Sequence, residues 1–202
     1  MIKDKNYFVL DNILTKEQED EIENLLTGVS FPYFFDSINY TSTGIEKFPN
    51  VKNLVDHKQM VHVAYSIDDN GNTYCNSNDY GYIISFITNQ LLVHFKKEKL
   101  TLKRAKVNLQ QQFTNNKPEY HNIPHIDLTD NKHFVCIYYV NDSDGDTLFF
   151  DNEKNCNVID RVSPKKGRLL VFNGNILHAS QHPIKSPERI VINMDFEGDL
   201  ND

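Results

Sequence analysis

The sequence of 202 residues contains no run of about 18 apolar residues, the length that a membrane-spanning helix needs. Its start, MIKDKNYFVLDN, lacks the apolar segment and the small-residue cleavage site of a secretory signal peptide. The three cysteines (Cys75, Cys136 and Cys156) are odd in number and too widely spaced for a disulfide framework or a zinc knuckle. We therefore predict a cytoplasmic protein with free thiols and no membrane partner.

Positive charge is also scarce, with 21 Lys and Arg against 28 Asp and Glu, which gives a formal net charge of −7. Non-specific nucleic-acid binding depends on Lys and Arg that neutralise phosphates, so nucleic acid is disfavoured as a partner, although a small local basic groove is not excluded. The hydrophobic content of 39% is ordinary for a globular protein. The length suits one well-cored domain spanning residues 1–202, and nothing in the sequence indicates an oligomeric state.

Two helices are predicted in the first half of the chain. Thr15 and Gln18 have the spacing of a capping box, which predicts a helix from there to about Leu26, ended by Gly28. Apolar residues at near-helical spacing predict a second helix from about Tyr80 to Lys97; they are Ile83, Ile84, Ile87, Leu91 and Phe95. Residues 31–79 have no clear pattern apart from an alternating patch between Met60 and Tyr65 and a turn at Asp68-Asp69-Asn70-Gly71.

After Leu100 the sequence changes to short strand-like runs separated by turn signals such as Asn173-Gly174-Asn175. Many short strands at this spacing favour a sandwich or barrel over βαβ units. We predict a mainly β (α+β) fold, in which residues 1–100 form a helical support region and residues 101–198 a β core. The predicted strands are Lys103–Phe113, Phe134–Val140, Thr147–Phe150, Asn157–Val162, Arg168–Phe172, Ile176–His182 and Arg189–Phe196.

The triplet His125-Ile126-Asp127 places two metal-capable side chains at i and i+2, which lie on the same face of an extended segment. His178, from a distant strand, would complete a set of two histidines and one carboxylate, the ligand set of non-haem Fe(II) oxygenases. Arg189 then offers a permanently charged fork for a carboxylate. The alternative is a loop hydrogen bond between His125 and Asp127, with His178 an ordinary interior histidine.

Four segments of the second half, in order, resemble the 2-oxoglutarate/Fe(II)-dependent oxygenase superfamily, and most closely its prolyl 4-hydroxylase-like branch. They are Tyr120–Asp127, Val135–Asn141, Asp144–Phe150 and Pro164–Phe172, followed by His178 and Arg189. The branch includes small members carried by phages and other viruses, which is compatible with a virus-encoded protein. The resemblance covers about Lys103 to Phe196 and implies a double-stranded β-helix, a jelly-roll or cupin-like core, on the N-terminal supporting helices.

The resemblance also implies the catalytic and metal-binding residues. His125, Asp127 and His178 would bind Fe(II). Arg189, helped by the hydroxyl of Tyr139, would bind the distal carboxylate of 2-oxoglutarate.

Other cosubstrate contacts are expected from two strands. Many relatives have a tyrosine or another hydrogen-bonding residue in the first core strand, and Gln110, or on the same face Asn108 or Gln112, could take that position here. Asn193, two alternations beyond Arg189, is expected to face the same pocket.

The activity implied is hydroxylation of a C–H bond with Fe(II), 2-oxoglutarate and O2, release of succinate and CO2, and ascorbate as a supporting reductant. The expected partners are a small-molecule cosubstrate and a prolyl, peptidyl, protein or amino-acid substrate. Two alternatives stay open. One is oxidative demethylation of nucleic acid, as in AlkB-like relatives, which have more arginines after the second histidine than Arg189 alone. The other is a non-catalytic barrel that binds a ligand.

Overall fold

A computed structural model describes residues 7–36, 48, 51, 53–55, 57–68, 70–75, 81–128 and 132–198 of the chain. This described part contains two α-helices and eleven β-strands. Within the same ranges, no helix is both long enough and apolar enough to cross a membrane.

Helix α1 (Lys16–Thr27) confirms the first predicted helix. The capping box is present: the side-chain oxygen of Thr15 accepts from the backbone N–H of Gln18 (3.3 Å), and that of Gln18 accepts from the N–H of Thr15 (3.0 Å). Two N–H groups that lack helical partners are thereby satisfied. The helix ends at Gly28, whose N–H donates to the carbonyl of Leu25 at 3.2 Å. Its buried face carries Ile22 and Leu26.

Helix α2 (Gly81–Phe95) confirms the second predicted helix with a shorter C-terminal end. Lys96 has φ +52°, in the left-handed region, so the helix cannot continue to Lys97 as predicted. The predicted start, Tyr80, lies outside the described residues. Residues four apart form the buried stripe of the helix, as the spacing predicted: Ile83, Ile87 and Leu91.

All seven predicted strands are present, with ends that differ by two residues or fewer. They are β5 (Leu102–Gln111), β6 (His133–Tyr139), β7 (Thr147–Phe150), β8 (Val158–Val162), β9 (Leu169–Asn173), β10 (His178–Ser180) and β11 (Glu188–Glu197).

The N-terminal region also contains four strands that the sequence did not predict, so its support is not only helical. They are β1 (Tyr7–Leu10), β2 (Phe34–Asp36), β3 (Gln59–Ile67) and β4 (Thr73–Cys75). Three of them have only three or four residues, too short for a periodic signal. β3 includes the alternating patch from Met60 to Tyr65, while Asp69 of the predicted turn lies outside the described residues.

The strands form two antiparallel sheets. The larger has the order β1-β9-β6-β11-β5-β3-β2, with β4 paired to β3, and the smaller has the order β10-β7-β8. Register is fixed along the centre of the large sheet, where β11 pairs Arg189 with Gln110 and Asn193 with Lys106 of β5. Strands from both halves of the chain therefore share one sheet.

The centre of the large sheet is buried on both faces, because the helices cover one face and the small sheet covers the other. Strand β6 shows this alternation. Phe134, Cys136 and Tyr138 belong to the same apolar cluster as Ile22 of α1 and Ile87 of α2. The intervening residues Val135, Ile137 and Tyr139 belong to a second cluster with residues of the small sheet, including Phe149 and Val162. The space between the two sheets holds the candidate site.

Candidate metal and cosubstrate site

The structure brings His125, Asp127 and His178 together, with one potential ligand atom from each lying within 4.8 Å of the others. Backbone pairing fixes the two histidines: the N–H of His125 donates to the carbonyl of His178 (2.9 Å), and the reverse bond measures 3.1 Å. Asp127 follows two residues later, in a bend rather than a regular strand. A long-range backbone contact therefore positions all three side chains.

Both imidazole rings are oriented in the same way. Nδ1 of His125 lies 2.9 Å from the carbonyl oxygen of Ile123, and Nδ1 of His178 lies 3.0 Å from that of Ile176. A carbonyl only accepts, so each Nδ1 carries a proton and each Nε2 faces the site, the arrangement common in metal-ligating histidines. Nε2 of His178 also contacts Asp127, and this contact raises the pKa of His178 although burial opposes it. Burial and the nearby His178 lower the pKa of His125 to about 4, so His125 is a neutral donor at pH 7.

Asp127 is the acidic centre of the site, and its side chain is 4% exposed. Burial alone would raise its pKa, but the hydrogen bond from His178 (Nε2 to Oδ2, 3.2 Å) and the charge of Arg104 lower it well below 3.8. Arg104 also donates to Asp127 directly and to Oδ2 of the buried Asp195 at 2.7 Å. The amide of Asn193 donates to both oxygens of Asp127 at 3.3 Å. Asp127 is thus ionised, and several groups hold it in place.

A cavity of about 230 Å³ opens beside these three residues, between the two sheets. One wall consists of alternate residues of β5 and β11, together with Gln59 of β3. Thr147 and residues of β10 form the facing wall. The residues contributed by β5 and β11 are Arg104, Lys106, Asn108, Arg189, Val191 and Asn193.

Arg189 lines the same cavity and is 2% exposed. Its guanidinium donates to the carbonyl of Gly145 (2.8 Å), to Oε1 of Gln110 (3.0 Å) and to Oγ1 of Thr147 (2.9 Å). All three acceptors are neutral, and within the described part of the chain no carboxylate lies within ion-pair distance of Arg189. Burial accordingly lowers the pKa of Arg189. An unneutralised buried cation is costly, so the site is built to receive an anion.

Of the other predicted cosubstrate residues, some line the cavity and some do not. Tyr139 is fully buried, its hydroxyl donates to Thr147 (2.7 Å), and its ring lies 5.6 Å from the Arg189 guanidinium. Gln110 is fully buried, with its amide shared between Arg189 and Oγ of Ser180 (2.7 Å). Asn108 and Asn193 line the cavity, whereas Gln112 is exposed. Direct cosubstrate contact stays a prediction for each of them.

Sequence reasoning missed Arg104, Lys106 and Thr147. On β5 the signal was present, because Arg104, Lys106 and Asn108 alternate with the apolar Ala105 and Val107. Such alternation usually marks a solvated face, but β5 is a central strand and its polar face lines the cavity. No sequence pattern singles out Thr147, and only its hydrogen bond from Arg189 in the fold shows that it helps to hold the guanidinium.

Comparison with known proteins agrees with this geometry. Residues 111–196 match the model of the 2OG-Fe(II) oxygenase superfamily. The match covers 86 of the 202 residues, and it is this segment that is similar to the superfamily. The match and the cluster of His125, Asp127 and His178 together indicate a dioxygenase that uses Fe(II) and 2-oxoglutarate. None of the curated proteins matches this sequence.

Solved structures show the same fold at low sequence identity. An oxidoreductase of the 2OG-Fe(II) oxygenase family from Burkholderia pseudomallei is 12% identical, with a TM-score of 0.68 over 95% of this chain and 85% of that one. A prolyl hydroxylase from Trichoplax adhaerens, in complex with a peptide fragment of hypoxia inducible factor, is 15% identical, with a TM-score of 0.56 over 96% and 84%. The 2-oxoglutarate-dependent epimerase SnoN of nogalamycin biosynthesis is 11% identical, with a TM-score of 0.57 over 96% and 78%. The predicted mainly β, double-stranded β-helix fold is confirmed.

Proposed function

We propose that this dioxygenase hydroxylates a C–H bond of a prolyl, other peptidyl or amino-acid substrate and converts 2-oxoglutarate into succinate and CO2. His125, Asp127 and His178 would hold the iron, and Arg189 would bind the distal carboxylate of 2-oxoglutarate. The observation that carries the proposal is the placement of a carbonyl-oriented histidine pair and an ionised aspartate beside a buried arginine in one cavity.

The donor set fits Fe(II). Two imidazole nitrogens and one carboxylate oxygen cap one side of a divalent ion and leave about three positions open for cosubstrate and oxygen. Bound there, the iron would supply the activation of oxygen. The chain supplies fixed ligands: Arg104 and Asn193 hold the Asp127 carboxylate, and backbone pairing holds the two histidines.

Arg189 fits a dicarboxylate. The guanidinium has five N–H donors, of which three are used inside the protein, so two are available to a carboxylate. Gln110, Gly145 and Thr147 fix the plane of the fork, and Tyr139 in turn donates to Thr147. Tyr139 and Gln110 therefore support Arg189 as positioning residues, whether or not they touch the cosubstrate.

The substrate class is inferred from the structural neighbours and from the charge of the chain. The fold is shared with a prolyl hydroxylase in complex with a peptide fragment, and also with an epimerase of nogalamycin biosynthesis. A net charge of −7 and the single arginine of β11 favour a peptidyl or amino-acid substrate over nucleic acid.

We further propose that residues 1–202 form a single domain, with residues 101–198 as the catalytic core and 1–100 as its support. Strands β1 and β3, from the N-terminal region, pair with β9 and β5 of the core, which supports this division of roles within one sheet.

The test is release of succinate from 2-oxoglutarate by purified protein with Fe(II) and ascorbate, without added substrate. Asp127→Ala should abolish this release, because it removes the only carboxylate of the ligand set. Asp20→Ala, which changes a half-exposed carboxylate on α1 that pairs with Lys16 and Lys166, is the matched control and should retain wild-type release. If Asp127→Ala turned over 2-oxoglutarate at the wild-type rate, the proposed function would be wrong.

A further inference from the structure

The two carboxylate oxygens of Asp127 have different neighbours in the structure. Oδ1 accepts a hydrogen bond from Arg104, whereas Oδ2 lies 3.2 Å from Nε2 of His178. The amide of Asn193 lies 3.3 Å from both oxygens, so it does not distinguish between them. Since His178 is a proposed iron ligand and its Nε2 faces the site, Oδ2 is the oxygen on the side of the ion. Oδ1 is the oxygen that Arg104 occupies.

A second carboxylate fixes the direction of the Arg104 guanidinium. Arg104 on β5 stands directly opposite Asp195 on β11 in the register of the large sheet. Nε of Arg104 donates to Oδ2 of the fully buried Asp195 at 2.7 Å, and Nη2 of the same group donates to Asp127. Because the donors of a guanidinium lie in one rigid plane, the bond at Nε determines where Nη2 points. Asp195 therefore aims Arg104 at Oδ1 of Asp127.

The number of oxygens that Asp127 gives to the ion decides how many coordination positions stay open. A carboxylate can bind a metal ion through one oxygen or through both. Beside two histidines on a six-coordinate ion, one oxygen leaves about three positions open, and two oxygens leave about two. The 2-oxo acid end of 2-oxoglutarate would take two positions. Oxygen would therefore have a position only if Asp127 binds through a single oxygen.

We propose that Arg104, directed by Asp195, is a positioning residue that restricts Asp127 to binding the ion through Oδ2 alone and thereby keeps one coordination position open. This inference rests on the proposed function, and it assigns to the ion pair a role beyond holding Asp127 in place. The positive charge of Arg104 also repels the nearby ion. The pair therefore opposes tight metal binding while it keeps the site open to oxygen.

The first experiment counts the water molecules on Mn(II), bound in place of iron, from the relaxation of water protons. The wild type should hold about three waters, and Arg104→Met/Asp195→Leu about two, because Oδ1 of Asp127 becomes a ligand. Saturating 2-oxoglutarate should reduce these numbers to about one and about none. Arg104→Met alone leaves Asp195 buried without its cation and should destabilise the fold, so the double variant, which removes both partners, carries the test.

The second experiment measures succinate release by the iron-loaded protein, without added substrate, at varied concentrations of 2-oxoglutarate. The double variant lacks one hydrogen bond between charged groups at Oδ1, so the balance between binding through one oxygen and through both should shift by about 10- to 100-fold. The kcat of succinate release should fall by about that factor. The KM for 2-oxoglutarate should stay at the wild-type value, because two positions remain for the 2-oxo acid.

The affinity for Mn(II) separates this role from simple support of Asp127. The double variant should bind Mn(II) at least as tightly as the wild type in calorimetry, because it gains an oxygen ligand and loses the repulsion from Arg104. Loss of support alone would weaken Mn(II) binding.

The matched control is Arg168→Met/Asp11→Leu. The side chain of Arg168 is as exposed as that of Arg104 (22%), and it donates to both oxygens of Asp11 at 2.8 and 3.1 Å. Since neither Arg168 nor Asp11 lines the cavity, this variant should match the wild type in every assay.

Other outcomes overturn the inference. Equal water counts in the wild type and the double variant would show that Arg104 does not restrict Asp127. Weaker Mn(II) binding by the double variant would reduce the ion pair to a support of the ligand, and a raised KM for 2-oxoglutarate would assign Arg104 to the cosubstrate. In all these cases the wild type still binds the ion and releases succinate, whereas failure of the proposed function would remove both properties from the wild type itself.

Discussion

Replacement of Arg189 by methionine should strongly weaken the binding of 2-oxoglutarate, although it preserves most of the side-chain volume. Two N–H groups of the guanidinium are left for the distal carboxylate of 2-oxoglutarate after its three internal bonds. A hydrogen bond to a charged group contributes about 1.5–3 kcal/mol, so the loss of two is about 3–6 kcal/mol. At about 1.4 kcal/mol per tenfold change, the KM for 2-oxoglutarate should rise by at least about 100-fold.

The assay is the dependence of succinate release on 2-oxoglutarate concentration at saturating Fe(II). Arg189→Met also leaves the hydrogen-bond acceptors on Gln110 and Gly145 without their donor, which lowers the free energy of unfolding. Removal of an unneutralised buried cation offsets part of that loss. Urea unfolding should therefore show a folded protein of reduced stability. Arg161→Met, which changes a half-exposed arginine paired with Asp146, is the control and should keep the wild-type KM. An unchanged KM in a folded Arg189→Met protein would refute the role given to Arg189.

Two further predictions concern residues around this fork. Gly145→Ala places a Cβ atom 2.5 Å from the carbonyl oxygen of Gln181 and 3.0 Å from Cδ of Arg189, so it should displace the guanidinium and raise the KM for 2-oxoglutarate in the succinate assay. Gly81→Ala meets no atom within 4 Å and should not change that KM, and equal values for both variants would contradict the steric argument. Burial lowers the pKa of His182 from 6.5 to about 4. Between these pH values His182 is protonated in the unfolded chain but neutral in the folded protein. As pH falls from about 6.5 to about 4, urea unfolding should show the wild type losing up to roughly 3 kcal/mol relative to His182→Gln, and parallel stability curves would exclude this linkage.

Much of the core was predictable because its signals are local. The capping box of Thr15 and Gln18 and the four-residue spacing in α2 depend only on neighbouring residues, and both helices are found where these patterns place them. The strands of the second half carry their own turn residues, so their bounds agree within two positions. The short strands β1, β2 and β4 form through pairing with distant strands, and no local pattern marks them.

The candidate site also has residues that the sequence predicted and residues that it did not. The order of His125, Asp127, His178 and Arg189 in the sequence was enough to predict that they converge, and in the structure they line one cavity. The residues that hold them could not be recognised, because their contacts join positions far apart in the chain. Arg104 reaches Asp127 across 23 positions and Thr147 reaches Arg189 across 42.

The polar face of β5 shows a limit of pattern reading. Alternating polar residues usually indicate a solvated face, and only the position of β5 inside the large sheet shows that Lys106 and Asn108 line the cavity between the two sheets.

The central claim is that two imidazoles and one carboxylate hold a single divalent iron. Anaerobic equilibrium dialysis of the purified protein against Fe(II) tests it without any turnover. We expect one Fe(II) to bind per wild-type chain. His94→Ala, which changes an exposed histidine of α2, should retain that ion, and His178→Ala should lose it. Equal iron binding by the wild type and His178→Ala, or no iron bound by the wild type, would contradict it.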